Sequence, residues 1–308
     1  MKPALILLTG PNNFMLQAER QRFIKDFAVS HGDLAIERFE AEEVEPAKVG
    51  EAINNLPFLV DSKLVVINRP SQARPLTDKL EVWLEELAAG INVLLIDPAP
   101  DKRTRWYKFI TKTAKVMNFP ALDESALKRW LKSYVGEQGG VIEPAAAEEL
   151  IRLVGIDQQL LAMEIDKLLP LGRPIDKALI NKLVDPLPRE TIFELLEALM
   201  SKRLDRAGRI LDQLRKSGTD AMEILALIGW QIQVLALVAA ASEQPGSSGG
   251  LGLHPFVVRK NQAVASRLGL KGVRRLADLT VQSELSVKKR GANAAAVLDV
   301  LIMKLSEI

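Results

Sequence analysis

Residues 4–14 read Ala4-Leu5-Ile6-Leu7-Leu8-Thr9-Gly10-Pro11-Asn12-Asn13-Phe14. An apolar run of buried-strand type stops at Gly10-Pro11 and gives way to a helical pattern. Strand, glycine turn and helix in that order is where a nucleotide-binding α/β protein keeps its phosphate loop. A working loop has the form G-x-x-x-x-G-K-[ST], because backbone N–H groups cradle the phosphates while a Lys and a hydroxyl serve the β- and γ-phosphates and Mg²⁺. Counted from Gly10, the second glycine, the Lys and the hydroxyl fall on Met15, Leu16 and Gln17, and none of these does that work. Of the motif only Gly10 survives. Gly10 and Asn13 mark a degenerate phosphate loop, with the architecture of an NTPase and without its chemistry.

The reading extends outward from that loop. Further short β-rich runs occupy 35–39, 64–68, 93–97 and 115–119, alternating with helical patterns, which predicts a mainly parallel sheet with helices on both faces. The run expected to end in a Mg²⁺-binding acid pair ends instead Val65-Val66-Ile67-Asn68-Arg69, and a cation there turns Mg²⁺ away. Asp97, closing the next run, is the one acid a metal reading can use, and without the loop Lys it is an orphan.

After Pro120 the pattern is helical only, beginning with Leu127, Trp130, Leu131 and Tyr134 and breaking at Gly139-Gly140. The expected organisation is an α/β domain with a parallel sheet over 1–140, a small helical lid domain over 141–187 and an all-α domain over 188–308. The last is interrupted by a flexible loop, Pro245-Gly246-Ser247-Ser248-Gly249-Gly250. No internal repeat is present.

The chain has 308 residues, 48% hydrophobic and 26% charged, enough for two or three domains with their own cores. Its 41 basic and 39 acidic residues leave a formal charge of +2, which argues against general nucleic-acid coating but leaves room for a local basic face. With no cysteine there is no disulfide, thiol catalysis or Cys-ligated zinc, and His31 and His254 lie too far apart in sequence to suggest a metal site. No signal-peptide pattern follows Met1-Lys2-Pro3, and a reducing, cytoplasmic setting is expected. The uncharged stretch 224–241 is long enough to span a membrane. Gln231 and Gln233 within it and the weakly apolar Ala239-Ala240-Ala241 at its end make it a buried helix in this reading.

Two surfaces stand out. Pro46 opens a helix with Val49, Ala52, Ile53 and Leu56 on its apolar face, and Pro57 stops it, so the chain turns out at Phe58, Leu59 and Val60 before a polar turn and the next strand. An apolar tip at an edge fits a docking element; packing back under the sheet is the plainer alternative. Arg105, Lys108, Lys112 and Lys115 recur at three- and four-residue spacing, with Trp106, Phe109 and Ile110 opposite. Such a basic stripe meets DNA phosphates or an acidic protein surface, or is simply a solvated face. Glu164 and Lys167 are spaced for an ion pair on one helix face. Lys288-Lys289-Arg290 is a tail of the last domain or a DNA contact, and His254-Pro255 is a turn before a helix.

Four stretches carry a resemblance across nearly the whole chain: Leu7-Leu8-Thr9-Gly10 with Phe14-Met15-Leu16-Gln17-Ala18-Glu19; Leu56-Pro57-Phe58-Leu59-Val60-Asp61-Ser62-Lys63-Leu64-Val65-Val66; Met163-Glu164-Ile165-Asp166-Lys167-Leu168; and His254-Pro255-Phe256 with Lys288. Together with the missing ATPase residues they resemble the delta-subunit family of bacterial DNA polymerase III, in the clamp-loader branch of the AAA+ superfamily. The resemblance implies a degenerate AAA+-like α/β domain, a helical lid and a helical collar. It implies a subunit of the polymerase holoenzyme with no ATPase activity, catalytic residue, metal or cofactor of its own. Its partners are then the sliding clamp (beta subunit), the ATP-binding loader subunits and the delta-prime subunit in a hetero-pentamer, and primed-template DNA, with no membrane. Phe58 matches the family's main clamp-inserting residue, with Leu56 and Leu59 as supports. In the collar, Trp230 and Gln231 suit packing against neighbouring subunits or within the chain itself. An assembly or DNA-binding module of the same loader is the alternative. The loader's other ATPase-deficient subunit carries a cysteine set that this chain lacks, and a diverged phosphate-loop enzyme lacks support for want of the Lys and the acid pair.

Overall fold

The computed structural model describes residues 4–55, 61–243 and 253–308, which form two compact units, 1–122 and 123–308.

The first unit is built on five parallel strands, β1 (Leu5–Thr9), β2 (Ile36–Glu40), β3 (Lys63–Asn68), β4 (Ile91–Asp97) and β5 (Lys115–Asn118), in the order β2-β3-β4-β1-β5. Each lies within two residues of its place in the sequence pattern. The central strands read as continuous apolar runs because both faces are covered, and period-2 alternation splits them between two cores. On one face Leu7, Val65, Ile67, Val93 and Leu95 meet α2 (Pro46–Asn54), α3 (Arg74–Glu85) and α4 (Arg105–Thr113) through Val49, Ile53, Leu76, Leu80, Trp106 and Ile110. On the other, Leu8, Leu64, Val66, Leu94 and Ile96 meet Leu16 and Ile24 of α1 (Asn13–His31).

The second unit is helical: α5 (Glu124–Glu137), α6 (Pro144–Val154), α7 (Gln158–Leu168), α8 (Lys177–Leu183), α9 (Pro188–Met200), α10 (Leu204–Lys216), α11 (Ala221–Glu243), α12 (Pro255–Arg290) and α13 (Ala294–Ser306). The sequence break at Gly139-Gly140 suggests a boundary there, yet the compact units divide at 122/123, ahead of α5. The reason is where α5 packs. Lys128 reaches Glu148 of α6 at 2.8 Å, the Tyr134 hydroxyl donates to the Asp166 carboxylate of α7 at 3.0 Å, and Leu127, Leu131 and Val135 are buried.

α11 is long and apolar enough to cross a membrane. In this fold it lies against α12, α9 and α13, with Ile224, Leu225, Ile228, Ile232, Leu235 and Val238 in the helical core. Glu164 and Lys167 form the ion pair their spacing suggests, although out of hydrogen-bond geometry, and His254 caps α12, its Nδ1 accepting from the Phe256 N–H at 3.2 Å.

Candidate functional site

The loop after β1 has the backbone of a phosphate site and spends its donors on the protein. Gly10 N–H donates to the Pro98 carbonyl at 3.1 Å, Asn12 N–H to the Phe119 carbonyl at 3.0 Å, and Asn13 N–H to the Pro11 carbonyl at 3.1 Å. The Asn12 side chain, 7% exposed, accepts from Met15 N–H at 3.1 Å and donates to the Pro120 carbonyl at 3.3 Å. Asn12 thus occupies the N-terminus of α1, where a phosphate would otherwise be held by free amides. Gly10 is required here: its φ is +117°, and a Cβ would lie 2.3 Å from the Phe119 carbonyl oxygen. Asn13 is exposed, and its side-chain oxygen lies 3.5 Å from the Gln17 amide. The residue that closes the loop is therefore its neighbour Asn12, signalled in the sequence by an Asn directly before a helical run.

The metal-binding positions are engaged in the same way. Asn68, ending β3, donates to the Glu40 carboxylate. Arg69 follows in the left-handed region at φ 51°. Asp97 at the end of β4 accepts from the Ser71 N–H at 3.0 Å and the Ser71 hydroxyl at 2.9 Å. Burial pushes its carboxyl above the ordinary carboxylate range, partly offset by those bonds and by Arg69. Among the described residues no group of three or more metal-ligating side chains is found.

Leu56, Phe58 and Leu59 fall outside the described residues, but both flanks are described. α2 ends at Asn54, earlier than a stop at Pro57 requires, with the Asn54 side chain on the Gly50 carbonyl at 2.8 Å and Asn55 N–H on Glu51. Asn55 itself leaves the helix in an extended conformation. α2 lies so tightly on α3 that a Cβ at Gly50 would come 2.7 Å from the Trp83 ring. Downstream, Ser62 is 2% exposed and donates to the Gly90 carbonyl at 3.1 Å, while Asn92 donates to its hydroxyl at 2.8 Å. The described residues on both sides of 56–60 are therefore fixed by hydrogen bonds.

The basic stripe is shorter than its spacing suggests. Thr104 caps α4, and Arg105, Lys108 and Lys112 lie exposed on it, with Trp106 and Ile110 buried opposite. Arg105 is held by Glu81 of α3 at 2.8 Å. Lys115 is not on the helix: Ala114 ends α4 and Lys115 opens the edge strand β5, paired with Ile6. Ahead of the helix, Asp101 accepts from the Arg103 guanidinium at 2.9 and 3.0 Å, which holds its carboxyl down at about 2.

Residues 6–120 match the family described as "DNA polymerase III, delta subunit", and residues 189–305 match "DNA polymerase III delta subunit, C-terminal domain". "DNA polymerase III subunit delta" of Bacillus subtilis is 22% identical over 97% of this chain and 91% of its own length. The solved structure titled "Bacillus subtilis DNA clamp loader delta protein" superposes with a TM-score of 0.83 at 20% identity, covering 100% of this chain and 96% of that one. A parallel five-stranded sheet whose glycine loop is closed by its own asparagine, followed by a helical C-terminal unit, is thus the fold of the solved clamp loader delta protein, and this chain belongs to the DNA polymerase III delta-subunit family.

Proposed function

We propose that this chain is the non-hydrolysing subunit of a replicative clamp loader, which binds the sliding clamp and helps open it for loading onto primed DNA. The observation that carries the reading is the closed loop. The amides of Gly10, Asn12, Asn13 and Met15 are bonded to protein acceptors, so the loop offers a triphosphate none of these four donors, which supports a binding role over hydrolysis. ATP-binding subunits, which supply hydrolysis, and a delta-prime subunit complete the pentamer, in the cytoplasm.

Phe58 is the anchor that enters the clamp, with Leu56 and Leu59 beside it. The hydrogen-bonded flanks at Asn55 and Ser62 support this role, since fixed attachment points lower the ordering cost of docking. Opening follows from differential affinity: a subunit that binds the open ring better than the closed one shifts the ring's equilibrium by that difference and no more. Arg105, Lys108 and Lys112 on α4, with Lys115 on β5, form a secondary surface for DNA or clamp.

The test is a titration of the chain against its own organism's sliding clamp without nucleotide. Nanomolar binding is expected, weakened roughly 30-fold or more in Phe58→Ala, since truncating an interface anchor costs about 2 kcal/mol. Leu59→Ala is expected to weaken it less. A wild-type chain that does not bind the clamp would point to an assembly or DNA-binding module of the loader.

A further inference from the structure

From Gln244 to Ala277 the sequence contains no Asp or Glu and six basic residues: Arg259, Lys260, Arg267, Lys271, Arg274 and Arg275. Lys260 is engaged, on the Glu190 carboxylate and over the Phe193 ring. Arg267 lies 3.4 Å from the Ser201 hydroxyl, an uncharged partner. Lys271, Arg274 and Arg275 are exposed and form no ion pair among the described residues.

These cations sit on a break in α12. Gly269 has φ 61° and ψ 174°, so the helix is two runs, and the second starts at Leu270. Val273 and Leu276, 1% and 0% exposed, turn inward, which leaves Lys271, Arg274 and Arg275 on the outward face of its first two turns. A helix N-terminus carries the positive end of the dipole, so cations there are unfavourable for folding. The same arrangement becomes favourable once an anion is bound, because dipole and side chains then act together.

We propose that Arg267, Lys271, Arg274 and Arg275 form a surface of the C-terminal unit that binds the phosphodiester backbone of DNA. Three of the four are arginines, whose planar fork matches phosphate oxygens. Lys271 to Arg275 rises about 6 Å along the helix, against one phosphate per roughly 3.4 Å of strand, so successive side chains reach successive phosphates. The contact is to the backbone and therefore independent of sequence. It is separate from clamp binding, and either reading can fail without the other.

The experiment is fluorescence anisotropy of a labelled primed-template duplex with the full chain, between about 50 and 200 mM salt, the range over which phosphate contacts dominate affinity. The triple variant Lys271→Gln/Arg274→Gln/Arg275→Gln should melt with the wild type and bind DNA at least tenfold more weakly at the lower salt. Its slope of log K against log salt should fall by about 2–3, near one for each phosphate that no longer meets a cation. Lys288→Gln/Lys289→Gln serves as a control on a second basic cluster and should change affinity less. Absence of DNA binding by the wild type, or unchanged affinity and slope in the triple variant, overturns the proposal. So does a triple variant that keeps DNA but loses the purified sliding clamp, which would assign the face to an acidic protein surface.

Discussion

Asp97, closing β4, accepts both hydrogen bonds that Ser71 offers, from the backbone N–H at 3.0 Å and the hydroxyl at 2.9 Å. With the side chain only 3% exposed, burial is the largest influence on its carboxyl and raises it above 3.8. A carboxylate raised on folding stabilises the folded state below its unfolded pKa, and that contribution is lost as pH rises through the folded pKa. Asp97→Asn removes the titration. The stability of wild type minus variant, from urea unfolding at several pH values, should therefore fall as pH rises from about 3.8, the ordinary value, towards neutrality. Ser71→Ala leaves one carboxylate oxygen without its donor and should cost about 1–2 kcal/mol.

The filled loop makes a direct prediction about nucleotide. A ligand at 100 times its Kd would stabilise the chain by about 2.7 kcal/mol, a shift of several degrees in Tm. Millimolar ATP with Mg²⁺ should leave the Tm of the isolated chain unchanged, because the amides of Gly10, Asn12 and Asn13 already have carbonyl partners. A clear upward shift would mean that the loop opens to admit phosphate.

Gly10→Ala tests the same loop from its backbone. The φ of +117° is unfavourable for any L side chain, and the added Cβ would lie 2.3 Å from the Phe119 carbonyl oxygen, with backbone on both sides of the clash. A loss of roughly 2–4 kcal/mol is expected in urea unfolding. A loss under about 1 kcal/mol would show that the β1 loop and the end of β5 are not locked together.

How much of this was legible in the sequence follows from what is local and what is not. The five strands could be located because apolar runs bounded by Gly, Pro or charged residues need no knowledge of partners. Lys115 reads both ways in the sequence, at the end of a three- and four-residue basic spacing and at the start of a β-rich run, and the free edge of β1 claims it for the sheet. The allegiance of α5 to the helical unit depends on contacts such as Tyr134 with Asp166, 32 positions apart, and no pattern within α5 announces it. The pairing of Asp97 with Ser71 spans 26 positions and is equally silent. Asn12 is legible as a helix cap, an Asn directly before a helical run, whereas the phosphate-loop spacing points to its neighbour Asn13.

Arg103 controls the titration of Asp101 through a two-pronged contact and a backbone bond at 3.0 Å. With Asp101 held at about 2, its charge is kept well into acid. A depressed carboxylate contributes stability above its unfolded pKa and loses it as pH falls through the folded one. Arg103→Ala should bring the Asp101 pKa back towards 3.8, read from the carboxylate carbon shift in an NMR titration. No movement would mean that the guanidinium contact is not formed in solution.

Gln231 of α11 donates its side-chain amide to Asn261 of α12, and Asn261 in turn donates to the Val257 carbonyl at 2.8 Å. The two residues are 3% and 2% exposed, beside a core cluster made mostly of Leu, Ile, Val and Ala. Apolar packing alone tolerates a helix sliding or turning against its neighbour, while a buried amide pair is satisfied in one register only. Asn261→Leu strands the Gln231 amide away from water and should cost about 1–3 kcal/mol. Replacing both residues by Leu removes the two polar groups together and should cost less than the sum of the single changes. A double-mutant cycle in urea measures the difference: strong coupling means that the pair sets how the apolar α11 seats on α12, and additivity would mean that packing alone fixes that register.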